Sequence, residues 1–203
     1  ADVLDFDFMA ALRQTTDGLK KDFWLMGEVI HGDYGRWLAP GMLHSVTNYR
    51  LHKALYSGHN DHNYFEIAHT VRETRWKLYN FVDNHDVARI ASKLSARGNF
   101  LPVHVLLFTL PGIPSVYYGS EFGIAGKKER GSDDSLRPEL HLEDFEGNTH
   151  ASLIAALGNL RRSVSALSYG DYEEKFLTTQ AYGFSRTYEG TTVLVTVNNT
   201  AQS

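Results

Sequence analysis

Across the first 168 residues of this 203-residue chain, short apolar runs of strand length alternate with longer amphipathic stretches. That alternation restricts the fold to βα units around a parallel sheet. Phe8 to Lys20 reads as a helix with Met9, Leu12 and Leu19 on its inner face. Phe23-Trp24-Leu25-Met26 follows as a short buried strand that runs into Gly27-Glu28, and Leu43 to Thr47 is a weaker strand with Asn48-Tyr49 and a helix behind it. Tyr64 to Leu78 is helical, placing Phe65, Ala68, Val71 and Trp76 near one face. Leu78 to Val82 is a third strand and ends in Asp83-Asn84-His85-Asp86. Phe100 to Leu110 fits a helix stopped by Pro111-Gly112, Pro114 to Tyr118 is a last core strand, and a helix from Ala151 to about Ala166 follows a long polar loop.

After Gly170 the period changes. Phe176-Leu177, Tyr182 to Tyr188 and Thr192 to Val197 alternate apolar and polar residues, the pattern of antiparallel strands, with Glu189-Gly190 as a hairpin turn. The expected fold is α/β: four βα units of a partial (β/α)₈ barrel in residues 1–168, then the first strands of an all-β domain in residues 169–203. A complete barrel takes about 250 residues, more than this chain holds. The opening, broken by Asp2, Asp5 and Asp7, does not read as a signal peptide; it reads as the middle of something longer.

Composition narrows the partners. A formal net charge of −4 gives no electrostatic reason for nucleic acid or an anionic membrane, and no apolar run approaches the roughly 20 residues that span a bilayer. The absence of cysteine excludes disulfides and thiolate metal sites but does not identify a compartment.

Reactive groups of a parallel barrel sit where strands end, because the loops there vary without disturbing the core. Two strands here end in acids: Glu28 closes the first, and Asp86, beside His85, closes the third. An acid after a strand also serves as a helix cap, and Val87-Ala88-Arg89-Ile90 can begin a helix, so local pattern leaves Asp86 open between the two. His59, Asp61 and His62 stand at a spacing that suggests a metal, but polar loop residues this close read as solvated.

Phe81-Val82-Asp83-Asn84-His85-Asp86 and Phe23-Trp24-Leu25-Met26-Gly27-Glu28-Val29 resemble two signature segments of the alpha-amylase family of glycoside hydrolases. Gly112 to Glu121, carrying Ile113-Pro114-Ser115-Val116-Tyr117-Tyr118-Gly119, resembles a third, on the family's eighth barrel strand. The resemblance runs in the family's order over nearly the whole chain. It implies barrel strands five to eight, with Glu28 as the general acid/base and Asp86 as the aspartate that binds sugar hydroxyls and stabilises the transition state. His85 is implied as a sugar hydrogen-bond donor. His31 and Trp37, in the loop after Glu28, fall where the family often places sugar contacts, although Trp37 serves equally as a packing anchor. Asn48-Tyr49 resembles a family pair and reads as structural. Burial and the like charge of Asp86 are expected to keep Glu28 protonated near neutral pH.

The family's nucleophile belongs to an Arg-x-Asp segment, and none occurs in this sequence. The expectation is therefore a fragment of a retaining alpha-glucan hydrolase, inactive alone, with an alpha-glucan or maltooligosaccharide as substrate when whole. No cofactor or metal is assigned; the family's calcium sites lie largely in the half that this chain lacks. The segments around Glu28 and Asn48-Tyr49 look most like maltodextrin- and cyclomaltodextrin-acting members. A non-catalytic sugar-binding module and an amylase-like interaction module are the alternatives; a pure scaffold would have no need of Glu28, His85 and Asp86. Half a barrel leaves open sheet edges, which points to self-association or pairing with the missing N-terminal half.

Overall fold

A computed structural model describes residues 1–200. Helix α1 (Phe6–Leu19) starts where the Asp5 carboxylate accepts from the amides of Asp7 and Phe8, and it buries Met9 and Thr16. Strands β1 (Met26–Gly27) and β2 (Ser45–Val46) pair in parallel, with Met26 opposite Ser45. Helices α2 (Tyr49–Asn60) and α3 (Tyr64–Glu73) lead to β3 (Tyr79–Phe81). A parallel bridge from Thr47 to Tyr79 joins β2 to β3. Helices α4 (Ile90–Lys93) and α5 (Phe100–Thr109) then lead to β4 (Ile113–Ser115), which pairs in parallel with β3. Four parallel strands thus stand side by side in chain order, as the alternation of patterns required.

The details depart from the sequence reading in several places. The connection from β1 to β2 carries only a 3₁₀ turn at Tyr34–Arg36, so the first βα unit has no α-helix. Phe23, Trp24 and Met26 are exposed rather than buried: β1 begins only at Met26, and among the described residues it has a strand neighbour on one side only. Leu19 is 80% exposed and lies off the inner face of α1. Helix α3 stops at Glu73, since Thr74 turns extended to reach β3, and Phe65 and Trp76 lie largely outside the core.

Helices α6 (Thr149–Ser163) and α7 (Ser165–Tyr169) precede an antiparallel sheet of β5 (Asp171–Leu177), β6 (Ala181–Tyr188) and β7 (Thr191–Asn198). The hairpin between β6 and β7 turns at Glu189-Gly190, both with positive φ, the geometry a two-residue turn demands. Tyr182, Phe184, Val195 and Val197 pack with Leu55, Ile67, Leu106 and Leu107 of the helices in one core. His59 belongs to this core as well. It is fully buried, its Nδ1 pairs with the Leu55 carbonyl at 2.6 Å, and burial lowers its pKa to about 4. The loop reading of His59 failed because α2 runs on to Asn60.

Two buried arginines fasten this sheet and α6 to the end of α5. Arg161 donates to the carbonyls of Phe108 and Gly112 at 2.5 and 2.6 Å. Arg186 donates to those of Thr109 and Gly170 at 2.7 and 2.9 Å. Phe108 and Thr109 are the last residues of α5, whose carbonyls lack helical partners and carry the negative end of the helix dipole. Among the described residues no helix is long and apolar enough to cross a membrane.

Candidate active site

Glu28 directly follows β1, and the backbone there is tightly placed. A Cβ on Gly27 would come within 2.4 Å of a Leu43 methyl, which would have to shift to make room. Beyond Glu28, the buried Thr47 hydroxyl accepts from the Val29 amide at 2.9 Å and donates to the Val29 carbonyl at 3.0 Å. The Asp2 carboxylate accepts from the Ile30 amide at 3.1 Å. The Glu28 side chain itself is exposed, so the burial expected from the sequence is not found. Its Oε1 accepts a hydrogen bond from the Tyr49 hydroxyl at 2.9 Å.

The end of β3 is held from beneath. Asp83 is 1% exposed; its Oδ1 accepts from the Ser120 hydroxyl at 2.6 Å and its Oδ2 from the Ile90 amide at 2.7 Å. Burial raises the Asp83 carboxyl above the usual range, against the pull of those two bonds. Arg89, wholly buried, donates to Ser120 Oγ at 3.1 Å and to the carbonyls of Tyr118 and Leu136 at 2.5 and 2.7 Å. Its guanidinium lies 4.3 Å from the Tyr117 ring. The capping role open to Asp86 is thus filled by Asp83, whose carboxylate takes the first amide of α4.

Asn84 Oδ1 accepts from the amides of Asp86 and Val87 at 2.8 and 3.2 Å, turning His85 and Asp86 outward. His85 Nε2 lies 3.2 Å from Asp86 Oδ2, and Arg137 from the long polar loop lies 3.4 Å from Asp86 Oδ1. Glu28, Tyr79, Asn84, His85 and Tyr117 line one cavity of about 360 Å³. The structure therefore brings Glu28 and His85 to a common space, with the Asp86 carboxylate 3.2 Å from His85 beside it.

Two of the expected sugar contacts fall elsewhere. Trp37 is 6% exposed and packs with Met9, Val29, Tyr34 and Leu43, its ring 6.0 Å from that of Phe6; it is an anchor of the core and shows no face to a ligand. His31 is exposed in the loop after β1 and does not line the cavity. The sequence reading missed Arg137, Tyr117 and the part played by Tyr49. Tyr49 follows the end of β2, and the rule that singled out Glu28 and Asp86 at strand ends applies to it equally.

The model of the alpha-amylase catalytic domain matches residues 4–155. The chain belongs to the alpha-amylase family. A cyclomaltodextrinase of Thermoanaerobacter pseudethanolicus is 25% identical over 100% of this chain and 36% of its own length. A cyclomaltodextrin glucanotransferase of Bacillus sp. (strain 1-1) is 31% identical over 68% of this chain and 20% of its own length. This alpha-amylase-family chain thus spans about a third or less of these curated relatives. The alpha-amylase of Geobacillus thermoleovorans, solved in complex with acarbose, superposes with a TM-score of 0.84 over 98% of this chain and 46% of its own, at 24% identity, which establishes the shared fold.

Proposed function

We propose that these residues form part of a retaining glycoside hydrolase acting on the alpha-1,4 bonds of alpha-glucans, with β1 to β4 as the fifth to eighth strands of its barrel. Glu28 gives a proton to the glycosidic oxygen as the bond to the anomeric carbon breaks, then takes one from water in the second step. Asp86 binds sugar hydroxyls and stabilises positive charge on the ring, and His85 hydrogen-bonds the same sugar. The observation that carries this reading is the convergence of Glu28 and His85, from β1 and β3, on one cavity of about 360 Å³. Retaining chemistry also needs an attacking carboxylate, and residues 1–203 hold no Arg-x-Asp segment to supply it. The 203 residues alone are expected to be inactive. The relatives named as acting on cyclomaltodextrins favour maltodextrin or cyclomaltodextrin as substrate.

The test is release of reducing sugar from maltodextrin and cyclomaltodextrin, with a Glu28→Gln control. In a polypeptide that provides the attacking carboxylate, the substitution should cost about 10²- to 10⁴-fold. Unchanged turnover in Glu28→Gln would remove Glu28 from the role, and sugar bound without turnover would point to a binding module. The outer edges of β1 and β4 are unpaired among the described residues, and we expect them to pair with a second copy or with further barrel strands. A monodisperse monomer at moderate concentration counts against that.

A further inference from the structure

Tyr49 belongs to neither acid-bearing strand end, yet it touches both. Its hydroxyl donates to Glu28 Oε1 at 2.9 Å and accepts from Asn84 Nδ2 at 3.0 Å. The direction of these bonds is fixed from the far end. Asn84 Oδ1 is committed to the amides of Asp86 and Val87, so Nδ2 is the atom that faces the phenol. An amide NH₂ only donates, and the phenol must therefore aim its own hydrogen at Glu28. The ring is held in place: it stands edge-on to Phe81 at 4.9 Å, at the first turn of α2. The neighbouring Asn48 caps that helix through Leu51 and donates to Asn80 at 2.9 Å.

We infer that Tyr49 is a positioning residue that occupies Glu28 Oε1 and so assigns the transferable proton to Oε2. The inference rests on the reading of Glu28 as the general acid. The proton on Oε2 passes to the glycosidic oxygen, which keeps the electron pair of the breaking bond to carbon. Oε1 retains its bond from Tyr49 throughout, so the carboxylate left behind is already oriented to take a proton from water on Oε2. One amide, Asn84, then sets both the direction of the acid and the turn that carries His85 and Asp86.

The phenol's own titration reports this contact. Its pKa is pushed up to about 12, first by burial and further by the facing Glu28 carboxylate and by Asp86, while the bond from Asn84 acts the other way. His52, the other titratable ring against Tyr49, is held neutral by burial, which lowers its pKa to about 3.

Protein labelled with ¹³C-tyrosine is titrated by NMR, with Tyr49→Phe identifying the resonance. Glu28→Gln, at an exposed position, should lower the Tyr49 midpoint by more than Asp86→Asn does. A midpoint unmoved by Glu28→Gln overturns the inference. The second arm, run in a polypeptide that provides the attacking carboxylate, compares aryl alpha-maltosides with good and poor leaving groups. Tyr49→Phe should lower kcat/KM about tenfold for the poor leaving group, the worth of one charge-assisted hydrogen bond, and far less for the good one, which needs little acid assistance. Equal losses on both would reduce Tyr49 to a structural part and overturn its positioning role. In that polypeptide, no turnover in any form, wild type included, counts against the proposed hydrolase and leaves the titration to decide the contact.

Discussion

The two strand ends that carry the acids are secured in different ways. At the end of β1, Glu28 extends into solvent from a backbone pinned by Thr47 and by the close approach at Gly27, and its side chain has one hydrogen bond, from Tyr49. At the end of β3, the segment Asp83 to Asp86 sits on a buried polar cluster in which Ser120 links Asp83 to Arg89, and Arg89 donates to two carbonyls. The first end positions one functional group through backbone; the second positions a whole turn through side chains taken out of water. Low dielectric strengthens the second arrangement and makes its parts costly to remove.

The comparison breaks most sharply at Arg89. Arg89→Met leaves two carbonyls without donors and Asp83 without a nearby positive charge; a loss of about 3–5 kcal/mol in urea unfolding is expected. A loss under about 1 kcal/mol would show that the β3 end is not held this way. Asp83→Ala should cost about 2–3 kcal/mol, by stranding the Ile90 amide and the Ser120 hydroxyl. Asp83 also carries a pH signature. Its folded carboxyl titrates above the ordinary 3.8, so the folded state binds the proton more tightly than the unfolded state. Its contribution is present in full below pH 3.8 and is lost as the pH rises through the folded pKa. Stability curves of wild type and Asp83→Asn over that window should differ in slope with that sign. Thr47→Val, on the other side of the comparison, should cost about 1–2 kcal/mol and speed hydrogen exchange at the Val29 amide, while exchange at Ile90 stays as it was. Glu28→Gln should change stability by less than about 0.5 kcal/mol, because the side chain is exposed.

Much of this was legible in the sequence. Periodicity separated the parallel strands from the terminal antiparallel sheet, and the strand-end rule drew attention to Glu28, His85 and Asp86. What stayed hidden depends on contacts between distant segments. Trp37 stayed open between sugar contact and packing anchor because an aromatic in a loop after a strand looks the same whether it faces a ligand or Phe6. Phe23 and Trp24 read as buried because an apolar run does not reveal how many neighbours its strand has. Asp83 read as one letter among four, although only it lies under the turn. Arg89 read as an ordinary helix residue, since a buried guanidinium that donates to carbonyls leaves no acid partner in the sequence to betray it.

That same mode of satisfaction recurs where the terminal sheet meets α5. Arg161 and Arg186 are held by peptide oxygens, and none of those bonds involves a carboxylate. Burial lowers both guanidinium groups, Arg161 to about 10, which still leaves them charged wherever carboxylates and histidines change state. Peptide oxygens do not titrate there either. These clasps are consequently blind to acid: a drop in pH that loosens ion pairs elsewhere leaves the bonds of Arg161 and Arg186 as they were.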